Sequence, residues 1–345
     1  MNILTRKNAE ILRFLCKKDG YTREISERLS ISPGKVHSAI KLFKKNNLIN
    51  EKREKNRIIV SLNINNPSLN NILNLIEERK EPKIRLKGRG KASHKGDNGI
   101  VLVIGGSRDF IGAPALAGMA ALRSGADLAI VAAPEKTAWA INEISPDLIT
   151  KKLKGDYLSP ENLDEMKEWI DRCDSILIGP GLGRRTETRE FIKRILKLEK
   201  IKIVDADAIS AVDLKSLKNS VITPHRREFE ILLKNNDLDE KNFQKNLKNN
   251  IVLLKGPVDK IISKDKLRLN NTGNEGMTKG GTGDVLAGIA ASLAAQGNPL
   301  FESAYAAAFI NGRAGDNLKS EMGYGFLASD LVKGIPRVMR EVLNG

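Results

Sequence analysis

The chain has 345 residues, enough for one large core and a small appended unit. Two cysteines and three histidines without paired spacing argue against a disulfide framework or a transition-metal site, and no apolar run approaches the ~20 residues that span a bilayer. The formal net charge of +16 is concentrated at one end: residues 1–95 hold 23 Lys+Arg against 9 Asp+Glu, and the remainder is nearly neutral.

Such a basic front end points to an anionic polymer or surface as partner. Residues 5–17 place Ala9, Leu12, Leu15 and Cys16 at helical spacing, with Ile11 alongside. A second short helix follows Thr22, with Ile25 and Leu29 inward. After Ser30-Ile31-Ser32, Ser32 reads as an N-cap and Pro33 as the first position of a third helix reaching about Lys45. That helix buries Val36, Ala39, Ile40 and Phe43 and shows Lys35, His37, Ser38, Lys41 and Lys44 on its opposite face. A charged hairpin over 50–57 then leads into the apolar run 58–62. This order resembles a winged helix-turn-helix domain over residues 1–63. Its third helix would enter a major groove while Lys52, Arg53, Lys55 and Arg57 reach flanking phosphates, which makes DNA the expected partner. Readers of this kind usually act as dimers, so a homo-oligomer is expected. The stripe Leu69, Ile72, Leu73 and Ile76 would pair two chains or pack as a linker helix on its own neighbour. Residues 64–93 are expected to form a helical, then basic, linker, exposed over 77–93.

From Gly99 the pattern changes. Apolar runs at 100–104, 128–132, 175–178, 201–204, 221–222 and 251–254 read as strands buried on both faces, with an Ala-rich helix over about 114–124. Alternation of strand and helix predicts an α/β layered fold with a mainly parallel sheet over residues 94–345, whose ligands gather at the strands' carboxyl ends. A dinucleotide fold at Gly105 fails, because Gly105, Gly106 and Gly112 do not match G-x-G-x-x-G and the next strand ends in Ala132-Ala133-Pro134 without an acidic residue. Cys16 and Cys173 sit in apolar context and read as core residues of a reducing compartment. The N-terminus lacks a signal-peptide pattern, so the expected location is the cytoplasm.

The chemistry concentrates at Gly280-Gly281-Thr282-Gly283-Asp284, followed by an apolar helical run. Glycines there let several N–H groups point outward together, and the positive end of the helix dipole adds to the field. That is a cradle for a phosphate, with Asp284 beside it to take a proton from an attacking hydroxyl. No Gly-Lys-Ser or Gly-Lys-Thr follows, so it is not a Walker A loop. Asp205 and Asp207 end the strand at 201–204 at the mouth of the sheet, although Asp207 also fits a helix cap. His225 fits either a ligand or a cap, and Glu228 either an exposed carboxylate or a water-mediated contact to magnesium.

Seven blocks then occur in order: Lys95-Gly96-Asp97, Gly105-Gly106-Ser107, Gly112-Ala113-Pro114, the Gly-Pro-Gly-Leu-Gly run 179–183, Thr223-Pro224-His225, Lys255-Gly256, and the run 271–284. Together they resemble the NAD(P)H-hydrate dehydratase family, a carbohydrate-kinase-related domain with a ribokinase-like fold, over about residues 91–345. The resemblance implies repair of hydrated NADH or NADPH with ADP or ATP and Mg2+. It implies that Ala113, Gly181, His225 and Asp284 contact the hydrated dinucleotide, and that Lys255, Gly256, Pro257, Val258, Asp259 and Gly283 line the nucleotide site. Asp284 would be the base, with Gly281 and Gly283 holding the moving phosphoryl group. Bifunctional members carry an epimerase domain, which is not expected in this sequence. Two departures stand out: Asp259 where a small or hydroxylated residue is commoner, and Asn311 where histidine is often seen. A small-molecule kinase and a nucleotide-sensing regulator are the alternatives; the 271–277 block and Gly112-Ala113-Pro114 favour the dehydratase, and the intact Asp284 centre argues for an enzyme.

Overall fold

The computed structural model describes residues 5–17, 19–54, 57–63, 66, 68, 69, 72, 82–87 and 93–344. These fall into two compact units, residues 1–80 with 265–269 and residues 81–264 with 270–345.

The first unit runs α1 (Arg6–Lys17), β1 (Gly20–Tyr21), α2 (Thr22–Leu29), α3 (Pro33–Lys45), β2 (Ile49–Glu54) and β3 (Arg57–Leu62). Its strands form an antiparallel sheet in the order β1-β3-β2, with Ile49 opposite Leu62 and Glu54 opposite Arg57. Leu12, Ile25, Val36, Ala39, Phe43, Leu48 and Val60 close the core. Ser32 stands at the N-cap of α3, but its side chain makes no capping bond; Pro33 and the backbone carry the helix start. Leu69 is fully buried within the chain, which suits a segment packed on its own neighbour. Leu73, Ile76 and Lys55 lie outside the described residues.

In the second unit eight strands, counted among the described residues, run in the order β11-β10-β9-β8-β7-β4-β5-β6. They are β4 (Ile100–Ile104), β5 (Leu128–Pro134), β6 (Ile149–Leu153), β7 (Ser175–Ile178), β8 (Ile201–Val204), β9 (Ser220–Ile222), β10 (Ile251–Leu254) and β11 (Asp259–Ile262). From β6 across to β10 every neighbouring pair is parallel, and β11 turns back antiparallel on β10. Helices cover the sheet: α4 (Gly112–Arg123), α5 (Glu135–Ile144), α6 (Asn162–Arg172), α7 (Thr186–Leu196), α8 (Arg226–Asn235), α9 (Thr282–Ala295), α10 (Leu300–Met322) and α11 (Ala328–Asn344). Residues 82–87 are not the exposed linker the composition suggested. Ile84 and Leu86 pack on the core, and Asn298 bonds both the N–H and the carbonyl of Arg85 at 2.9 Å.

Parallel pairing puts the ends of β4, β7, β8, β9 and β10 on one edge, so Gly105, Gly179, Asp205, Thr223 and Lys255 follow adjacent strands. Above them lies α9, whose residues from Val285 to Ala295 are all buried. It packs tightly on α4: a Cβ on Gly288 would lie 2.2 Å from the Ala117 carbonyl oxygen. Gly288→Ala is therefore expected to overpack this contact and destabilise the unit by ~1–3 kcal/mol. A lowered melting temperature in thermal denaturation checks it; an unchanged one would mean the helices separate freely.

Candidate functional site

Gly281 caps α9 in the left-handed region at φ +91°, which turns the chain into the helix. The turn is braced from behind. Thr282 Oγ1 donates to the carbonyls of Met277 (2.9 Å) and Lys279 (3.0 Å), and Lys279 Nζ donates to the carbonyls of Phe326 and Tyr324. Asp316 holds the preceding block, accepting from the Gly273 N–H at 3.0 Å and from Asn274 Nδ2 at 3.1 Å. The cradle of N–H groups at the start of α9 is thus built before any ligand arrives.

Asp284 sits in the first turn of α9. Burial pushes its carboxyl up to about 7; the negative charges of Asp205 and Asp207 push the same way, while Lys255 pulls back. Lys255 Nζ lies 2.9 Å from Asp205 Oδ1, and a Cβ on Gly283 would stand 3.4 Å from that ammonium. Burial works against the charge on Lys255, yet Asp205, Glu228 and Asp284 outweigh it and hold its pKa above the ordinary value. A base poised near neutrality, a fixed cation and a helix N-terminus therefore converge.

On the other side, the loop after β7 meets the loop after β4. Gly106 N–H donates to the Pro180 carbonyl at 2.8 Å, and Ser107 Oγ donates to the Gly181 carbonyl at 2.8 Å. A Cβ on Gly181 would lie 3.7 Å from the Ala113 Cβ, so those two residues share a wall. Helix α4 links that wall to the cradle, since Leu116 packs against Gly281. Only glycine fits at 179, where a Cβ would stand 1.7 Å from the Asp205 carbonyl oxygen.

Residues 101–337 of the chain match the family model described as NAD(P)H-hydrate dehydratase. The chain belongs to the NAD(P)H-hydrate dehydratase family. It is 46% identical over 272 residues to the bifunctional NAD(P)H-hydrate repair enzyme Nnr of Methanothermobacter thermautotrophicus, a match covering 74% of this chain and 52% of that protein. It is 36% identical over 264 residues to the ADP-dependent (S)-NAD(P)H-hydrate dehydratase of Cenarchaeum symbiosum, covering 73% and 92%. The solved ADP/ATP-dependent NAD(P)H-hydrate dehydratase of Bacillus subtilis, co-crystallized with ATP/Mg2+, superposes with a TM-score of 0.62 at 26% identity, covering 75% of this chain and 95% of that one. This unit thus has the ribokinase-like α/β fold. The chain spans about half the length of the bifunctional relatives it matches, and residues 1–80 lie outside the family match.

Several of these side chains also have partners within the fold. His225 caps α8: its Nδ1 accepts from the N–H groups of Arg227 (3.1 Å) and Glu228 (3.2 Å), and Glu228 accepts from the His225 N–H at 2.9 Å. The cap leaves Nε2 as the donor nitrogen, on a ring whose side chain is 53% exposed. Asp207 caps nothing; it accepts from the Gly183 N–H (3.0 Å) and pairs with Arg184 (3.1 Å). Asp259 closes the loop 255–259 on itself, accepting from the Gly256 N–H (3.0 Å) and Asn270 Nδ2 (3.1 Å), and burial lifts its carboxyl to about 6. Pro257 and Val258 form the tip of that loop, with Pro257 exposed. Asn311 Nδ2 donates to the Thr282 carbonyl at 3.3 Å, and its buried Oδ1 has no partner among the described residues. Sequence reasoning missed Phe110, 56% exposed and packed by its Cβ against Gly181; an aromatic between a Gly-Gly-Ser loop and a Gly-Ala-Pro helix start was the available signal.

No group of three or more His, Cys, Asp or Glu able to hold a metal ion occurs among the described residues. Glu228, the carboxylate expected to reach Mg2+ through water, is engaged by His225 at both oxygens. The donor set therefore does not form a protein cage for Mg2+. Among the described residues no helix is long and apolar enough to cross a membrane. Cys16 and Cys173 are both buried and form no disulfide, and burial pushes the Cys173 thiol up to about 11.

The raised carboxyl of Asp284 has a thermodynamic sign. Its folded pKa of about 7 exceeds the ordinary aspartate value of 3.8, so stability falls as pH rises between those values. Asp284→Asn removes the cost of the buried charge. The variant is expected to melt above wild type at pH 8, by on the order of 2 kcal/mol after solvent screening, and to match it near pH 4. Melting curves across pH check this, and a gap of equal size at both ends would contradict it.

Proposed function

We propose that the second unit restores NADH or NADPH from their hydrated forms, using ATP or ADP to turn the ring hydroxyl into a leaving group. The observation that carries this reading is Asp284 on the cradle with Lys255 beside Gly283. Asp284 takes the proton of the ring hydroxyl, and the hydroxyl oxygen bonds to the terminal phosphorus of the nucleotide as the bridging P–O bond breaks. The ring nitrogen's lone pair then expels phosphate with the C–O bonding electrons, and loss of a proton from the adjacent carbon restores the dihydronicotinamide. One nucleotide is shortened by one phosphate, which leaves as inorganic phosphate, and the ring loses the elements of water. N–H groups of Gly281, Thr282 and Gly283, with the Lys255 ammonium, would carry the charge of the moving group. Ala113 and Gly181 would wall the hydrated ring, and the half-exposed His225 ring would border the dinucleotide. Mg2+ enters this reading only as part of the nucleotide, where it neutralises phosphate charge.

The test uses pure protein, hydrated NADH, Mg2+ and either ATP or ADP, followed by the return of reduced-nicotinamide absorbance. Recovery is expected to need nucleotide and to fall ~10²–10⁴-fold in Asp284→Asn, as loss of a general base does. No recovery with either donor would point instead to a kinase for another alcohol.

We further infer that the first unit is a winged helix-turn-helix domain that binds DNA. Its element order supports this, as does the exposure of Lys35, His37, Ser38, Lys41, Lys44 and Arg53. Two of these are partly engaged: Lys44 pairs with Glu51, and Ser38 Oγ donates to the Gly34 carbonyl at 2.9 Å. Lys35 and Lys41 are therefore the better phosphate contacts. Lys41→Ala is expected to weaken DNA binding across sequences and to reduce the salt slope by about 1, while Asp284→Asn leaves binding unchanged. Filter binding of the full chain over a salt series checks both, and an unaltered slope would remove Lys41 from the interface.

A further inference from the structure

Asp205 is only 2% exposed, and nothing in the family reading gives it a task. Its Oδ1 accepts from Thr223 Oγ1 at 2.7 Å and from Lys255 Nζ at 2.9 Å. Its backbone is pinned as well: the N–H donates to the Ile178 carbonyl at 3.0 Å, and the carbonyl lies where only a glycine at 179 leaves room. The ends of β7, β8, β9 and β10 thus meet at one carboxylate.

We propose that Asp205 is the positioning residue of the phosphoryl-transfer centre: it holds the Lys255 ammonium beside Gly283, so that cation and base reach the cradle as one unit. The proposal rests on reading the second unit as a nucleotide-dependent dehydratase. A lysine has four rotatable carbon–carbon bonds, and its ammonium stays at one point only if something holds it. A carboxylate as buried as Asp205 is tolerated only when a cation and a hydrogen-bond donor compensate it, and here both converge on the same oxygen. The pair also sits electrostatically between the sheet and the base. Asp284 is faced by Asp205, Asp207 and Lys255, and Lys255 in turn by Asp205, Glu228 and Asp284. Asp205 opposes and Lys255 favours the ionised base, so the two partners bias Asp284 in opposite directions.

The experiment is a carboxyl carbon NMR titration of the full chain carrying labelled aspartate, with the Asp284 signal assigned by its loss in Asp284→Asn. Wild-type Asp284 is expected to titrate at about 7. In Lys255→Met the midpoint should rise by about one pH unit, a tenfold change in proton affinity, whereas the same substitution made on top of Asp205→Asn should leave the midpoint where Asp205→Asn alone has it, because the ammonium is no longer held. In the dehydration assay Asp205→Asn and Lys255→Met should each lose at least about tenfold in kcat, while the KM for hydrated NADH changes less than about twofold. An equal rise in both backgrounds, or wild-type kcat in Asp205→Asn, would overturn the proposal. Asp205→Glu, which keeps the charge but moves the carboxylate, gives the same readout if Asp205→Asn does not fold. Should wild type fail to dehydrate hydrated NADH, the functional reading falls, and the titration still decides whether Asp205 and Lys255 set the state of Asp284.

Discussion

Helix α9 is buried along its length, and the contact of Gly288 with the Ala117 carbonyl fixes where its N-terminus points. A helix apolar on all sides has no solvent face to choose its rotation by, so close packing against α4 and the sheet sets it instead. The same α4 begins at Gly112-Ala113 and touches Gly281 through Leu116. One packing relation therefore spaces the wall formed by Ala113 and Gly181 from the cradle and its base. The mainly parallel sheet supplies the rest by bringing five strand ends to one edge.

Charge at this edge is arranged at some cost to the fold. Asp205, Glu228 and Asp284 act on Lys255, Asp205 and Asp207 act on Asp284, and burial raises the carboxyl of Asp284 to about 7. That rise opposes folding at neutral pH, and it also gives a carboxylate that ionises near neutrality. A site that stabilised its carboxylates fully would hold weaker bases.

Much of the architecture was legible in sequence where burial was two-sided. The run 100–104 is apolar throughout, 175–178 opens on Ser175, 201–204 carries the buried Lys202, and each is a strand at those bounds. Strands β6 and β11 escaped notice because adjacent polar residues, Thr150-Lys151-Lys152 in one and Asp259-Lys260 in the other, break the apolar pattern. The glycines and Asp284 were legible because a cradle needs those residue types in close succession. Asp205 was visible only as a strand-end carboxylate, since its partner Lys255 lies 50 residues further on and only strand pairing joins them. His225 offered two readings at the sequence level, and the structure shows the cap, closed by Glu228 three residues on.

The central claim is that phosphate leaves carrying the oxygen of the hydrated ring. Hydrated NADH prepared with a heavy oxygen isotope in the ring hydroxyl, turned over with unlabelled nucleotide, tests it by mass spectrometry of the released phosphate. Phosphorylation followed by elimination predicts one heavy oxygen in each inorganic phosphate formed. Unlabelled phosphate with the isotope in water would contradict it, and would mean that the hydroxyl leaves without ever being phosphorylated.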